Sequence, residues 1–333
     1  MIRFLTSTVL SSLVLSQEVK LIDESFNDTP PELLSAAKLL TSLRTDPDEI
    51  PTPVILWHGM GDHYNSYFSM GSMKRLIEQE IPGVYVRSLC IGNDHDDVSK
   101  CSGVTDTING FLGDSNKMID HACKIVTSDP QLALGFHAVG FSQGGLFSRV
   151  LAQRCPVPVK SLISIGGPQN GVGAFPSCDP NGPNGNMCTT LEELFDFGAY
   201  VPVIQNHLIQ AQYWHDAMHP DKYKSKNIFL ADVNQENYVN ETEVMKLGMV
   251  QDLVLVRFNQ DSVITPIDSE WFGFYQDGQD VIVEAAQELP IWTNLGLQNL
   301  YSEGILTFLA TDGDHLQFTT SWFVEEIIPF LEQ

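Results

Sequence analysis

The chain has 333 residues, 43% of them hydrophobic and 10% aromatic, a composition that excludes global disorder. Acidic residues outnumber basic ones by 42 to 18, giving a formal net charge of -24 at pH 7. Because nucleic-acid-binding proteins need a basic face, this charge argues against a nucleic-acid partner. The negative charge is compatible with a compartment of low pH, where protonation of carboxyl groups relieves the self-repulsion. The alternative interpretation is an ordinary acidic surface with no special meaning.

The N-terminus is typical of a secretory signal peptide over residues 1–16, with a short positive start before an apolar stretch. An uncleaved anchor is the alternative, although the stretch is too short to span a membrane. No later stretch is apolar enough to do so, and we therefore expect no stable membrane anchor. Residues 17–50 contain several prolines and predict a leader or linker, with a short helix at 32–43.

Six cysteines in a chain that enters the secretory pathway are expected to form disulfides, but spacing alone does not choose among the pairings. Cys178 and Cys188 bracket a loop rich in Pro, Gly and Asn. There is no C-x-x-C motif, and we expect neither a metal nor a cofactor. Two N-x-[ST] motifs predict N-glycosylation at Asn240 and, within the leader, at Asn27.

Strands and helices alternate along residues 51–333, which we interpret as one domain. The pattern predicts strands at 54–57, 84–91, 132–139, 159–165, 253–258 and 305–310, and helices at 70–81, 108–126 and 318–331. Such alternation predicts an α/β class, with a mostly parallel central sheet and helices on both faces.

The alternation stops at about residues 168–227, where helical patterns follow a loop rich in Gly, Pro and Asn. Ligands of open α/β sheets bind beyond the carboxyl ends of the strands. We therefore expect a helical cap insertion that lines a substrate groove. The alternative is a structural insertion without substrate contact.

Ser142 lies between the strand predicted at 132–139 and an amphipathic segment at 146–151. Gly140 and Gly144 flank it in the pattern G-x-S-x-G. This order of strand, glycine-flanked serine and helix predicts the nucleophile elbow of an α/β-hydrolase fold, although the bare motif also occurs in surface turns.

A nucleophilic serine needs a base, and the base needs an orienting carboxylate, in the chain order serine, acid, histidine. His315 follows the last predicted strand in a glycine-containing turn and precedes the final helix. Asp261 follows the strand at 253–258 and is our choice for the acid. The rival acids are Asp232, Asp252 and Asp268.

The oxyanion of an acyl-transfer intermediate needs two preset N–H donors. We expect these to be the backbone N–H groups of Gln143, directly after the nucleophile, and of Met60, in the glycine loop after the first strand. The alternative for this loop is a tight turn without a catalytic role.

Several long motifs make the chain similar to one known family. They are LWHGMGD at 56–62, GFSQGG at 140–145, AQRCP at 152–156, YWHD at 213–216, IFLAD at 228–232, DSEWFGFY at 268–275 and GDHLQ at 313–317. With these motifs the chain resembles the lysosomal palmitoyl-protein thioesterases of the α/β-hydrolase superfamily. The resemblance implies Ser142, Asp261 and His315 as the triad, and Met60 and Gln143 as the oxyanion donors.

The resemblance also bears on the cysteines. The disulfides that it implies are Cys123–Cys155 and Cys178–Cys188. The chain departs from the family where an adjacent cysteine pair after the glycine loop is replaced by His63 and Tyr64. A Cys90–Cys101 bridge is our own inference, since these two cysteines flank another polar turn.

The resemblance implies a lysosomal serine thioesterase that removes palmitoyl groups from S-acylated cysteines of proteins or peptides through an acyl-serine intermediate. Palmitoyl-CoA is a further expected substrate. The alternatives are a long-chain acyl-CoA thioesterase or lipid esterase on the same scaffold and a secreted lipid-binding protein without catalysis.

Overall fold

The computed structural model describes residues 50–91, 101–174 and 198–333, which belong to one compact unit, Asp46–Gln333. The predicted signal peptide and the leader up to residue 49, with Asn27, lie outside the described residues. So does the loop that carries Cys178 and Cys188.

The described strands form one large parallel sheet and one small antiparallel pair. In chain order they are β1 (Val54–Trp57), β2 (Val86–Ser88), β3 (Phe136–Phe141), β4 (Val159–Ile165), β5 (Asp252–Phe258), β6 (Phe274–Tyr275), β7 (Val283–Glu284) and β8 (Leu306–Thr311). The large sheet has the order β2-β1-β3-β4-β5-β8 with every neighbouring pair parallel, and β6 pairs with β7.

The helices of the described ranges connect these strands. In chain order they are α1 (Met70–Glu80), α2 (Gly103–Asn109), α3 (Ser115–Ser128), α4 (Gln143–Arg154), α5 (Pro202–Gln205), α6 (Ile209–Gln212), α7 (Pro220–Lys226), α8 (Leu230–Val233), α9 (Glu241–Leu247), α10 (Ile291–Asn294), α11 (Leu297–Ser302) and α12 (Thr320–Glu326). Short 3-10 helices cover Ile267–Trp271, Ala286–Glu288 and Ile328–Phe330.

Two hydrophobic cores lie on opposite faces of the large sheet, because successive side chains of a strand point to opposite sides. Along β5, Leu253 and Leu255 join the core covered by α3 and α4, whereas Val254 and Val256 join the core covered by α1 and α12. The sheet is thus buried on both faces, which explains the nearly continuous apolar runs in its strands. This is the α/β-hydrolase architecture that the alternation predicts.

The prediction of a single helix at 108–126 is wrong, because the structure has two helices there, α2 and α3. Gly113 adopts a φ of 148°, a conformation that favours glycine and ends the helical path. Asp114 then caps α3, since its Oδ1 accepts the N–H groups of Asn116 at 3.0 Å and Lys117 at 3.4 Å.

Two other predicted elements are shorter in the structure. The strand predicted at 84–91 is limited to β2, because β2 lies at the sheet edge and pairs only with the four-residue β1. The helix predicted at 318–331 ends with α12, and a 3-10 helix containing Pro329 follows, since proline has no N–H to continue an α-helix.

Residues 198–227 of the predicted cap form α5, α6 and α7. The start of α6 is tied to the connection between α2 and α3, where the Ile209 N–H donates to the Phe111 carbonyl at 2.9 Å. The Gly113 N–H donates to the His207 carbonyl at 3.0 Å. Throughout the described ranges, every helix is too short or too polar to cross a membrane.

Candidate active site

Ser142 occupies a strained turn between β3 and α4. Its φ of 52° and ψ of -125° lie outside the usual regions for a residue with a side chain, and backbone strain of this kind is concentrated at functional sites. A Cβ at Gly140 would collide with the backbone of Gly144, and a Cβ at Gly144 would collide with the Trp57 carbonyl. Both glycines are therefore needed for the tight turn that exposes the serine.

The His315 ring bridges Ser142 and Asp261. Its Nε2 lies 2.8 Å from the Ser142 Oγ, and its Nδ1 lies 2.5 Å from the Asp261 Oδ2. An ionised carboxylate can only accept a hydrogen bond, so the His315 Nδ1 carries the hydrogen. The unprotonated Nε2 then accepts a hydrogen bond from the Ser142 hydroxyl. The structure thus brings the three predicted side chains together in the order that serine activation requires.

The Asp261 carboxylate is held by its own turn after β5. Its Oδ1 accepts the N–H groups of Val263 at 2.7 Å and Ile264 at 2.8 Å. Burial raises the pKa of Asp261, but the hydrogen bonds from His315, Glu270 and the backbone outweigh burial and hold this pKa below its usual range. The group is therefore an anion at neutral pH.

The rival acids have other partners. The Asp252 carboxylate accepts the Ser161 hydroxyl at 2.9 Å, and Asp268 pairs with Arg257 at 2.9 Å. Asp232 pairs with Arg154 at 2.6 Å.

Asp314 connects the loop that carries Asp261 to the loop that carries His315. Its Oδ1 accepts the N–H of Ser262, the residue after Asp261, at 2.8 Å and the His315 N–H at 2.7 Å. These backbone hydrogen bonds lower the pKa of Asp314.

Met60 and Gln143 both lie beside Ser142, as a pair of oxyanion donors would require. Met60 lines the same cavity as Ser142, and its N–H has no acceptor among the described residues. Gln143 is the first residue of α4, where N–H groups have no intrahelical acceptor. The loop of Met60 approaches closely, because a Cβ on Gly59 would lie 3.0 Å from the Ser142 Cβ.

The Gln143 side chain is fixed by three contacts that hold the start of α4. Its Nε2 donates to the Gly110 carbonyl at 3.2 Å, and its Oε1 accepts the Tyr213 hydroxyl at 3.1 Å. Gln210 donates to the same Oε1 at 3.3 Å. Gln210 and Tyr213 belong to the predicted cap, so this insertion supports the elbow directly.

A cavity of about 480 Å³ opens at Ser142 and His315. Its apolar lining comes from the region of α1, from the end of β3 and from the segments after β1, β5 and β8, namely Met60, Phe68, Met70, Met73, Leu76, Phe141, Val263, Leu316 and Phe318. Its volume is in the range of ligand pockets. None of its lining residues belongs to 198–227. This part of the cap therefore does not line the cavity, contrary to the expectation from the sequence.

Two buried features of the site have no signal in the sequence spacing. His58, at the head of the glycine loop, lies 3.1 Å from the buried Asp106. Glu270, 1% exposed, lies beside Asp261. The only available signal is a carboxylate next to large apolar residues, such as Glu270 before Trp271 and Phe272, and such a pattern is common on ordinary surfaces.

Two sets of possible metal ligands lie within 4.8 Å in the described residues. Cys90, Cys101 and Asp106 form one, but its two cysteines are joined as a disulfide. Asp261, Glu270 and His315 form the other, in which the Asp261 carboxylate is the partner of the His315 Nδ1–H.

The remaining predicted residues concern covalent modification. Disulfides join Cys90 to Cys101 and Cys123 to Cys155. The Asn240 side chain caps α9, where its Oδ1 accepts the Thr242 N–H at 3.2 Å. Its amide nitrogen is not part of the cap, and glycosylation there stays a prediction.

Comparison with known proteins identifies the family. Residues 53–315 match the family model described as palmitoyl protein thioesterase. Palmitoyl-protein thioesterase 1 of Caenorhabditis elegans is 44% identical over 83% of this chain and 90% of its own length. Lysosomal thioesterase PPT2 of Homo sapiens is 28% identical over 76% of this chain and 78% of its own. A monoacylglycerol lipase structure from Paleococcus ferrophilus aligns with a TM-score of 0.44 and 14% identity, covering 85% of this chain and 96% of that one. The family model and the 44% identical relative show that the chain belongs to the palmitoyl protein thioesterase family and is a thioester hydrolase.

Proposed function

We propose that Ser142, His315 and Asp261 act as a catalytic triad that hydrolyses palmitoyl thioesters on protein cysteines. The observation that carries the proposal is the placement of one imidazole 2.8 Å from the Ser142 Oγ and 2.5 Å from the Asp261 carboxylate. The names of the relatives supply the acyl group and the protein substrate. Palmitoyl-CoA presents the same thioester and is a further proposed substrate.

The first half of the reaction acylates the enzyme. The Ser142 Oγ attacks the thioester carbonyl carbon while its proton passes to the His315 Nε2. Asp261 accepts a hydrogen bond from the Nδ1–H, without taking the proton, and stabilises the imidazolium that forms. The N–H groups of Met60 and Gln143 donate to the oxyanion. The C–S bond then breaks, and the imidazolium gives its Nε2 proton to the departing sulfur, so the cysteine leaves as a thiol and His315 is neutral again.

The second half releases the fatty acid. A water molecule gives a proton to the His315 Nε2 and attacks the carbonyl carbon of the acyl-serine. The C–O bond to Ser142 then breaks, and the imidazolium returns its proton to the serine oxygen. The products are the free acid and the regenerated enzyme, and no step requires a cofactor.

The acyl chain is proposed to lie in the cavity beside Ser142. Methionine, leucine and phenylalanine side chains line this cavity, including Met73, Leu316 and Phe318. Burying a chain there gains roughly 0.8 kcal/mol per methylene. Such a gain favours a long acyl group over an acetyl group.

We place the reaction in the lysosome, reached through the secretory pathway. The name of the human relative and the predicted signal peptide at 1–16 support this location. The strongly acidic composition is compatible with it. Because His315 must be neutral to accept the serine proton, we expect activity to fall on the acid side, and a flat pH profile from about pH 4 to about pH 8 would contradict a histidine base.

The decisive experiment is hydrolysis of an S-palmitoyl peptide by the wild type and by Ser142→Ala. We expect a loss of at least about 10⁴-fold in kcat for Ser142→Ala, because nucleophilic attack is no longer possible. Ser148→Ala is the matched control, since it removes a buried hydroxyl from the same helix without touching the triad.

Parallel assays with palmitoyl-CoA and with a glyceride separate the substrate classes. A preference for the glyceride would assign a lipid esterase instead, and a preference for palmitoyl-CoA would assign an acyl-CoA thioesterase. A wild type that binds palmitate without turning over any of the three substrates would indicate a lipid-binding protein.

A further inference from the structure

Glu270 is a buried carboxyl group at the triad that the reaction as written does not use. It lies in the 3-10 helix Ile267–Trp271 and is only 1% exposed. One of its carboxyl oxygens lies within 4.8 Å of an Asp261 carboxyl oxygen and of a His315 ring nitrogen. Two buried carboxyl groups and the imidazole thus lie close to one another.

The two oxygens of Glu270 have different surroundings. Oε2 accepts the Phe258 N–H at 2.8 Å. Oε1 is buried and has no donor among the described residues. A buried anionic oxygen without a donor is costly, whereas a protonated oxygen facing a carboxylate makes a strong hydrogen bond.

Asp261 is the better site for the negative charge. It accepts two backbone N–H groups on Oδ1 and the His315 Nδ1–H on Oδ2. Glu270 has one such donor, and the nearby Arg257 guanidinium is paired with Asp268 at 2.9 Å. Two adjacent buried carboxyl groups do not both ionise, so the shared proton belongs on Glu270.

We propose that Glu270 is a protonated positioning residue, whose Oε1–H donates to the Asp261 carboxylate and extends the triad by one hydrogen bond. The inference rests on the triad proposed above and assigns a protonation state to a residue outside it. Burial first, and then the hydrogen bond to Asp261 and its negative charge, raise the pKa of Glu270 to about 10, which agrees with this geometry.

The proton on Glu270 has a consequence for catalysis. It leaves the buried cluster with one negative charge, and that charge is balanced when His315 takes the serine proton. An ionised Glu270 would add a second negative charge beside His315, which favours the imidazolium over the neutral base. A neutral Glu270 therefore favours the free imidazole that the first step requires.

Glu270→Gln and Glu270→Met separate charge from hydrogen bonding. Glutamine is neutral, and its amide can donate to Asp261 while its oxygen accepts the Phe258 N–H. We expect Glu270→Gln to keep kcat/KM within about 3-fold of the wild type and to leave the acid limb of the pH–rate profile in place. Methionine is neutral but cannot donate, and we expect kcat to fall about 10-fold with KM little changed.

The alternative protonation state predicts a different profile. If Glu270 were ionised, Glu270→Gln would remove a charge close to His315, and the acid limb would move down by about one pH unit or more. That shift would overturn the proposal. Equal losses in Glu270→Gln and Glu270→Met would also overturn it, because rescue by a donor would be missing.

An infrared measurement reads the proton without turnover. We expect the wild type at about pH 8.5, where Glu236 is ionised, to show a carboxylic-acid C=O band that is missing in Glu270→Gln. The band should be retained in Glu303→Gln, which removes an exposed glutamate. Absence of a Glu270-dependent band overturns the protonated assignment even if the enzyme is active. Conversely, a wild type that shows the band but hydrolyses no thioester refutes the proposed function and leaves the protonation state established.

Discussion

His58 and Asp106 form a buried pair beneath the loop that carries the proposed oxyanion donor. The His58 Nε2 lies 3.1 Å from an Asp106 carboxylate oxygen, and its Nδ1 donates to the Gly59 carbonyl at 2.8 Å. The same carboxylate accepts the N–H groups of Tyr64 at 2.8 Å and Ile91 at 2.7 Å. Burial lowers the pKa of His58, but the contact with Asp106 outweighs it and raises the pKa above its usual value. One carboxylate thus joins the glycine loop to two further segments.

This pairing predicts that Asp106→Asn weakens catalysis without removing any group that touches substrate. The asparagine has one acceptor oxygen in place of two and cannot hold both N–H groups and the His58 ring, so we expect the Met60 N–H to move from its position. We expect kcat to fall about 10-fold or more with a small change in KM. The free energy of unfolding should fall by roughly 3 kcal/mol. Asp129→Asn is the control, because Asp129 is a buried partner of Arg87 away from the site. Comparable losses of kcat in both variants would mean that stability alone explains the effect.

Glu236 predicts a pH dependence of stability. Burial raises its pKa to about 7, although the Tyr223 hydroxyl donates to its carboxylate. A raised pKa stabilises the fold below the unfolded value near 4.5, and this contribution disappears as the pH rises to about 7. On acidification from about pH 7.5 to about pH 5, the wild type should gain about 2 kcal/mol relative to Glu236→Gln.

The measurement for Glu236 is denaturant unfolding of both proteins at the two pH values. The buried His215 opposes the effect in both, because burial lowers its pKa to about 3 and its contribution is lost as the pH falls from 6.5. The comparison between wild type and variant removes this shared term. An equal pH dependence in the two proteins would show that Glu236 does not hold the proton.

The Cys123–Cys155 disulfide connects α3 to the residue after α4. It closes a loop with a sequence separation of 32 residues. Replacing both cysteines by alanine should lower the free energy of unfolding by about 3–4 kcal/mol, with kcat unchanged for the folded enzyme. The Cys90–Cys101 bridge closes only 11 residues, and its removal should cost ~1 kcal/mol less. Denaturant titrations of the two double variants test this order, and the reverse order would contradict the chain-entropy account.

Met73 tests the proposed acyl cavity. Met73→Trp should fill part of it and exclude about three methylenes of a palmitoyl chain, which lowers kcat/KM roughly 50-fold. An acetyl thioester does not reach that part and should be hydrolysed at an unchanged rate. Met245→Trp is the control, because Met245 is 61% exposed on α9. A loss that is equal for both chain lengths would place the acyl chain elsewhere.

The sequence by itself determined the local parts of this protein. Gly140 and Gly144 around Ser142 specify a turn that other residues cannot form, since a Cβ at either position strikes the backbone. The apolar runs of β1, β4 and β5 are long enough to specify buried parallel strands without knowledge of their neighbours. The chain order of serine, acid and histidine then restricted the triad to few candidates.

Only the tertiary structure decided what depends on distance between remote segments. It selected Asp261 over Asp252 and Asp268 by placing its carboxylate against His315, and it put Glu270 and Asp106 beneath the site. It also divided the helix predicted at 108–126, because the hydrophobic period continues across Gly113 although the backbone does not. The physical reason is the same for the acid and for the two buried carboxylates. Burial and charge pairing are properties of the space between segments, and residue spacing along one segment carries no information about that space.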